Sequence, residues 1–432
     1  MKKANTNHNR LNFPAEVFDK IQYFFQEYND HQVRAVIYFE GLTNRVLIEK
    51  ALHCSIDIVP ILRCRFVLDK VQPFWEQADE SCLYNLFSFL EIEDTDTEDE
   101  IQRFITGKTD EKTGPQIMAR IIRASGKDIL CIVMNHKVCD GAGFKEYLYL
   151  LGEIYTRLQD GTYKDFRYHN GNRSEQQIYG NFTFTKKLKA FFLPRESVKK
   201  KNTVCFPLGS KRVGQTPFIL RYKLSPERFE RLKKYGKSHT VTINDIVLAA
   251  YFRALNRMLC KEQSEALTIP CMVDLRRYLH GKKADGICNL TAMISCRIGT
   301  TDGEGFDETV SRVSTAMNRR KSDYPGLNGL STLKILYALP FRQAYQILKK
   351  KYANPMIGMT NIGIINPDKL IYGKEQIKDA YVAASVKYPP YFQLGLTTYN
   401  NSITFTVNEY CLESDKAIIQ RFFSLLDQEL SL

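Results

Sequence analysis

Residues 135–143 read Asn-His-Lys-Val-Cys-Asp-Gly-Ala-Gly, and their surroundings constrain the fold more than any other stretch. An apolar run, 129–134, leads directly into them. A second run, 116–124, precedes it across Ser125-Gly126-Lys127-Asp128. Gly and Asp in so short a gap predict a tight turn and therefore a β-hairpin. Behind the segment, Phe144, Tyr147, Leu148, Leu151, Ile154, Tyr155 and Leu158 recur at helical spacing. Strand, turn and helix thus follow one another, with His136, Asp140 and Gly141 on the turn. A histidine at the end of a buried strand is held rigidly. Its proton affinity lies close to neutral pH, which suits a general base.

The same alternation runs through the rest of the chain. Residues 13–27 predict a short amphipathic helix, 32–40 a strand and 42–53 a helix. Residues 56–67 begin as a helix end and finish as a strand, and 93–100 read as a solvated acidic loop. From about 160 to 214 the sequence is rich in Gly, Asn, Lys and Arg with weak periodicity. This predicts a junction between an N-terminal domain, 1–174, and a C-terminal domain, 215–432, with 175–214 as linker. In the second half, 218–223 reads as a strand, and Ser225-Pro226-Glu227 as a helix start. Thr242-Ile243-Asn244-Asp245 opens an apolar helix to residue 259. Residues 268–273, 291–298, 380–386, 391–399 and 402–409 are strand candidates, and 413–430 a final helix. The expected fold class is α/β, two α+β sandwiches rather than one barrel.

Composition excludes several classes. The net charge is +13, but positive residues are spread along the chain with only short clusters such as Lys199-Lys200-Lys201. No zinc-ligand spacing or RNA-binding aromatic signature accompanies them, so neither a metal site nor nucleic acid is expected. A phosphate-bearing cosubstrate, an acidic carrier or plain solubility accounts for the charge equally well. The 11 cysteines contain no C-x-x-C pair. That pattern fits reduced thiols in a cytoplasmic protein. The first residues carry charge without an apolar run, so no signal peptide is read, and no segment is long and apolar enough to span a bilayer.

These residues resemble the CoA-dependent acyltransferase superfamily, which includes chloramphenicol acetyltransferase, condensation domains and alcohol acetyltransferases. His136, Asp140 and Gly141 match its H-x-x-x-D-G motif. Residues 60–66, Pro-Ile-Leu-Arg-Cys-Arg-Phe, look like the condensation-domain segment ending in L-R-x-x-F. Residues 242–250 are similar to its T-x-N-D-V-L-L-A-A helix, Val273-Asp274-Leu275-Arg276 to its V-D-L-R strand end, and Thr360-Asn361-Ile362-Gly363 to an S-N-x-G segment. Two departures stand out. Asn135 occupies the position where condensation domains usually carry a first histidine, and the D-F-G-W-G segment of the plant BAHD branch is absent.

The resemblance implies two chloramphenicol-acetyltransferase-like domains in a V, with His136 midway along a channel between them. It implies a monomer that holds no tightly bound cofactor. Acyl-CoA or a phosphopantetheine thioester on a carrier protein would be the cosubstrate, and a small molecule the acceptor. His136 would take a proton from a hydroxyl or amine that attacks the thioester. Asp140, if buried, needs a cationic partner, and the resemblance points to Arg276. A solvated Asp at a helix start is the plainer alternative. Gly141 allows close backbone approach and an N–H near the reacting carbonyl, or is simply a turn glycine. Thr360 and Asn361 are candidates to polarise the oxyanion or position the acceptor. Cys139 has no second orienting motif for a nucleophile. A stand-alone condensation enzyme and a non-catalytic binding module are the competing readings.

Overall fold

The computed structural model describes residues 11–192, 204–209, 213–259, 266–299, 301, 303–322 and 324–432. The Lys199-Lys200-Lys201 cluster and part of the 175–214 stretch lie outside the described residues.

The first sheet has five strands in the order Ile377–Ala383, Gln32–Phe39, Lys127–Asn135, Ile117–Ala124, Phe87–Glu91. Its neighbours are antiparallel except the last pair. The hairpin closes on Ser125 and Gly126, both at positive φ, between the paired residues Ala124 and Lys127. Two such residues in succession match the sheet's twist. The Asp128 carboxylate then accepts from the Thr43 N–H at 2.7 Å, the Thr43 hydroxyl at 2.8 Å and the Arg123 guanidinium at 2.8 Å. The contacts with Thr43 pin the hairpin to the start of the earlier helix Arg45–Ile58.

Both faces of this sheet are covered. Helices Arg45–Ile58 and Gly141–Gln159 pack on one, burying Ile48, Leu52, Tyr147 and Leu151 against Leu130, Ile132 and Met134. Helix Thr97–Ile105 packs on the other, with Ile101, Phe104 and Ile105 against Val36, Cys131 and Val133. This is why the strand before His136 is apolar at successive positions instead of alternate ones. It also corrects the reading of 93–100 as loop. Glu98, Asp99 and Glu100 occupy the first turn of that helix, where negative charge is favoured by the N-terminal dipole.

The second sheet has six strands, Thr291–Ile298, Leu267–Asp274, Ile357–Ile364, Phe392–Tyr399, Ser402–Cys411 and Thr216–Leu224 in spatial order. Ile357–Ile364 runs parallel to both neighbours; the other pairs are antiparallel. The core packed on it includes Ile246 and Leu255 of helix Ile243–Leu259, Val313 of helix Phe306–Ser322 and Phe422 of helix Glu413–Glu429. A small third sheet pairs Phe74–Gln77 with Asn12–Pro14 and Cys64–Val67.

Chain order and spatial order part company in two places. Strand Ile377–Ala383, read from sequence as 380–386, belongs to the first sheet although it follows four strands of the second. Within 175–214, helices Gln176–Tyr179 and Phe184–Phe192 form where a featureless linker is expected.

Candidate active site

His136 follows the last residue of strand Lys127–Asn135, and Asp140 caps the helix Gly141–Gln159 by accepting from the Gly143 N–H at 2.8 Å. The turn between them is held from several sides. The His136 N–H donates to the His31 carbonyl at 2.7 Å. Asn135 turns its side chain back, accepting from the Lys137 N–H at 2.9 Å. The Asn289 amide donates to the carbonyls of His136 and Lys137, both at 2.9 Å. Arg173 donates to the Val138 carbonyl at 2.9 Å and pairs with Asp19 at 3.0 Å. Lys137 is wholly buried, pairs with Glu111 and lies over the rings of Tyr23 and Phe66.

Asp140 and Arg276 meet at 3.0 Å, across the two halves and buried. The carboxylate also accepts from the Leu290 N–H at 2.6 Å and the Thr291 hydroxyl at 2.8 Å. Arg276 donates to the Cys288 carbonyl at 2.8 Å and to Asp274 at 3.1 Å. Burial alone would raise the Asp140 pKa; the Arg276 guanidinium and the N–H groups of Gly143 and Leu290 pull it down to about 2. Asp140 is therefore a fixed anion, fully hydrogen-bonded, and not a proton carrier.

His136 is half-buried, and its Nδ1 is buried without an ordinary hydrogen-bond partner. Burial lowers its pKa below the usual imidazole value. Its own carbonyl and Asp140 oppose that effect, and the half-buried Lys387 ammonium adds to it. The ring is neutral at pH 7 and keeps a lone pair for a proton.

Thr360 and Asn361 sit on strand Ile357–Ile364, where the pairing with Phe392–Tyr399 slips by one residue between Asn361 and Gly363. The Asn361 side-chain Oδ1 accepts from the Gly363 N–H at 2.9 Å, and its Nδ2 donates to the Asn244 side chain at 3.4 Å. The bulge sends Ile362 against the start of the histidine helix. A Cβ on Gly141 would stand 3.1 Å from the Ile362 side chain. Lys145, one turn on, donates to the Ile362 carbonyl at 2.7 Å. The steric demand at Gly143 is harder: a Cβ there would lie 2.7 Å from the Cys288 carbonyl oxygen.

The structure thus gathers His136, Asp140, Gly141, Arg276, Ile362 and Gly363 around one junction, whereas the Asn361 side chain reaches Asn244 and Thr360 lies beside Gly395. Sequence reading missed the supports His31, Glu111, Arg173 and Asn289. They lie far apart in the chain and carry no local pattern; only their arrangement in space reveals them.

Cys139 is buried, with its Sγ 3.4 Å from the Met134 sulfur. Burial raises its pKa well above the usual value, so it is a thiol and a poor nucleophile. Cys139→Ser is expected to retain most acyl-transfer activity; an acyl adduct on Cys139 in intact-mass spectra during turnover would contradict this.

The condensation-domain family model matches residues 18–332. No curated protein matches the sequence. Among solved structures, the first condensation domain of the calcium-dependent antibiotic synthetase, in complex with a substrate analogue, aligns with a TM-score of 0.70 at 14% identity, over 98% of this chain and 97% of that one. The trichothecene 15-O-acetyltransferase of Fusarium sporotrichioides aligns at 0.66 with 12% identity, over 99% and 97%. A mutant starter condensation domain of rhizomide synthetase, in complex with C8-CoA, aligns at 0.66 with 13% identity, over 98% and 95%. The fold is shared with these proteins over nearly the whole chain. The chain belongs to the condensation-domain family.

Proposed function

We propose that this protein moves an acyl group from a thioester to a hydroxyl or amine, with His136 as general base. The observation that carries the reading is a neutral imidazole on a clamped turn where two domains meet. His136 takes the acceptor's proton as the freed lone pair attacks the thioester carbonyl. The tetrahedral oxyanion collapses, the C–S bond breaks, and His136 returns the proton to the departing thiolate. In this scheme the Gly141 N–H, Thr360 and Asn361 stabilise the oxyanion or orient the acceptor. The two substrates enter a channel between the halves from opposite ends.

A cavity of about 270 Å³ beside this junction supports a phosphate-bearing donor. It is lined by Ala142, Gly143 and Lys145 from the first half and by Arg276, Lys282, Lys283 and Lys369 from the second. Glu146, Asp274 and Asp285 share the lining, so cations exceed anions without excluding them. Acyl-CoA and a carrier's phosphopantetheine share this chemistry. The match to condensation domains favours, as second reading, amide formation between carrier-bound partners.

Purified protein incubated with acyl-CoAs or acyl-carrier proteins, against mixed alcohols and amines, is expected to release free thiol only when both partners are present. Release that needs no acceptor would overturn the proposal. The rate constant kcat/KM should fall on the acid side with an inflection below 6.5, the ordinary histidine value, as the imidazole gains a proton. A profile that rises toward acid would exclude a neutral histidine base.

A further inference from the structure

Helix Phe184–Phe192 presents its apolar side to solvent. Ala190 is its buried residue, clustered with Leu327 and Leu330 of the neighbouring helix Leu327–Leu336. The Asn328 amide fixes the contact by donating to the Ala190 carbonyl at 2.8 Å. On the other side Phe184 is 76% exposed, Leu188 46% and Phe192 72%. At about 100° per residue these three fall within about 80° of arc, opposite Ala190. Lys187 and Lys189 lie about 100° to either side of Leu188.

We infer that this helix is a docking surface for a lipid bilayer rich in anionic headgroups. Three large apolar side chains on one short exposed helix are uncommon unless something covers them. They form a projecting ridge whose base is held by helix Leu327–Leu336, and a fluid headgroup layer conforms to such a ridge. Lys189 on one flank reaches the phosphates while its stem follows the apolar side chains inward; Lys187, on the other, rests its ammonium 4.5 Å over the Tyr179 ring and adds its charge from there. Among the described residues no helix is long and apolar enough to cross a membrane. The mode is therefore attachment at the surface, strengthened by the net charge of +13 and weakened by salt.

The test is co-sedimentation of the full chain with vesicles of phosphatidylglycerol and phosphatidylcholine in equal parts, against phosphatidylcholine alone, at low and high salt. The wild type is expected to pellet with the anionic vesicles and to bind neutral ones at least roughly tenfold more weakly. Replacing Phe184, Leu188 and Phe192 together by Ser should also weaken anionic binding roughly tenfold or more. Acyl transfer in solution should be unchanged, because the helix is outside the catalytic arrangement. If that variant does not fold, Lys187→Glu with Lys189→Glu decides the matter: it keeps the ridge and should abolish the preference for anionic vesicles. Three results overturn the inference. The wild type stays in the supernatant at low salt. The serine variant binds as tightly as wild type, so the overall charge is responsible. Or the wild type is a dimer without lipid and the serine variant a monomer, so the ridge joins two copies of this chain.

Discussion

His136→Ala is expected to lower kcat for thioester-dependent acyl transfer by about 10²–10⁴-fold, the usual effect of losing a general base, while the protein stays folded. The clamp explains why fold and activity separate. The His136 main chain is held by the His31 carbonyl and by Asn289, contacts that alanine keeps. The His136 ring contributes no ordinary hydrogen bond through Nδ1, so little is lost with it. Steady-state rates and a thermal melt on the same preparation check both halves of the claim. Activity within a few-fold of wild type would remove the base from the mechanism.

Asp140→Ala or Arg276→Ala should each lower the unfolding free energy by about 3–5 kcal/mol, because each strands a buried charge. Loss of Asp140 leaves the guanidinium with Asp274 alone among carboxylates. Loss of Arg276 leaves a carboxylate held only by the Gly143 and Leu290 N–H groups and the Thr291 hydroxyl. The double alanine variant should cost less than the sum of the two. Acid gives an independent reading. The Asp140 pKa is depressed from an ordinary 3.8 to about 2. The stability it contributes is therefore present above 3.8 and lost as the pH falls through about 2. The gap between wild type and Asp140→Ala in urea melts should close over that window. A pH-independent gap would mean that packing, not charge, dominates.

Much of this arrangement is legible in the sequence, and the boundary is physical. The hairpin, the His136 turn and the helix after it are local. Each is set by its own turn residues and by apolar side chains at helical spacing, so a short window suffices. The same holds for the helix ending the chain, where Ile419, Phe422, Phe423 and Leu426 form one buried face. Helix Phe306–Ser322 is not legible. Its buried face includes Thr309 and Ser314 between Val310, Val313 and Met317, too polar for a clear stripe. The acidic start of Thr97–Ile105 conceals a helix whose apolar face begins only at Ile101. The Asp140–Arg276 contact spans 136 positions of chain. No composition or period announces such a pair; it was legible only through resemblance to other proteins. Asn289, Arg173 and Glu111 had no such help.

The strand Ile377–Ala383 closes one edge of the first sheet with residues from late in the chain. It pairs with Gln32–Phe39 from Ile377 opposite Phe39 to Ala383 opposite Arg34. The loop beyond it is fastened as well: the Ser385 hydroxyl donates to the Gln32 carbonyl at 2.9 Å, and the Val386 N–H to Asp30 at 2.9 Å. A fragment ending before residue 377 would leave Gln32–Phe39, buried along most of its length, as a bare edge, which invites self-association. The halves are thus poor candidates for separate expression. Denaturant should melt them in one step, since the first sheet is not whole without a strand supplied by the second half.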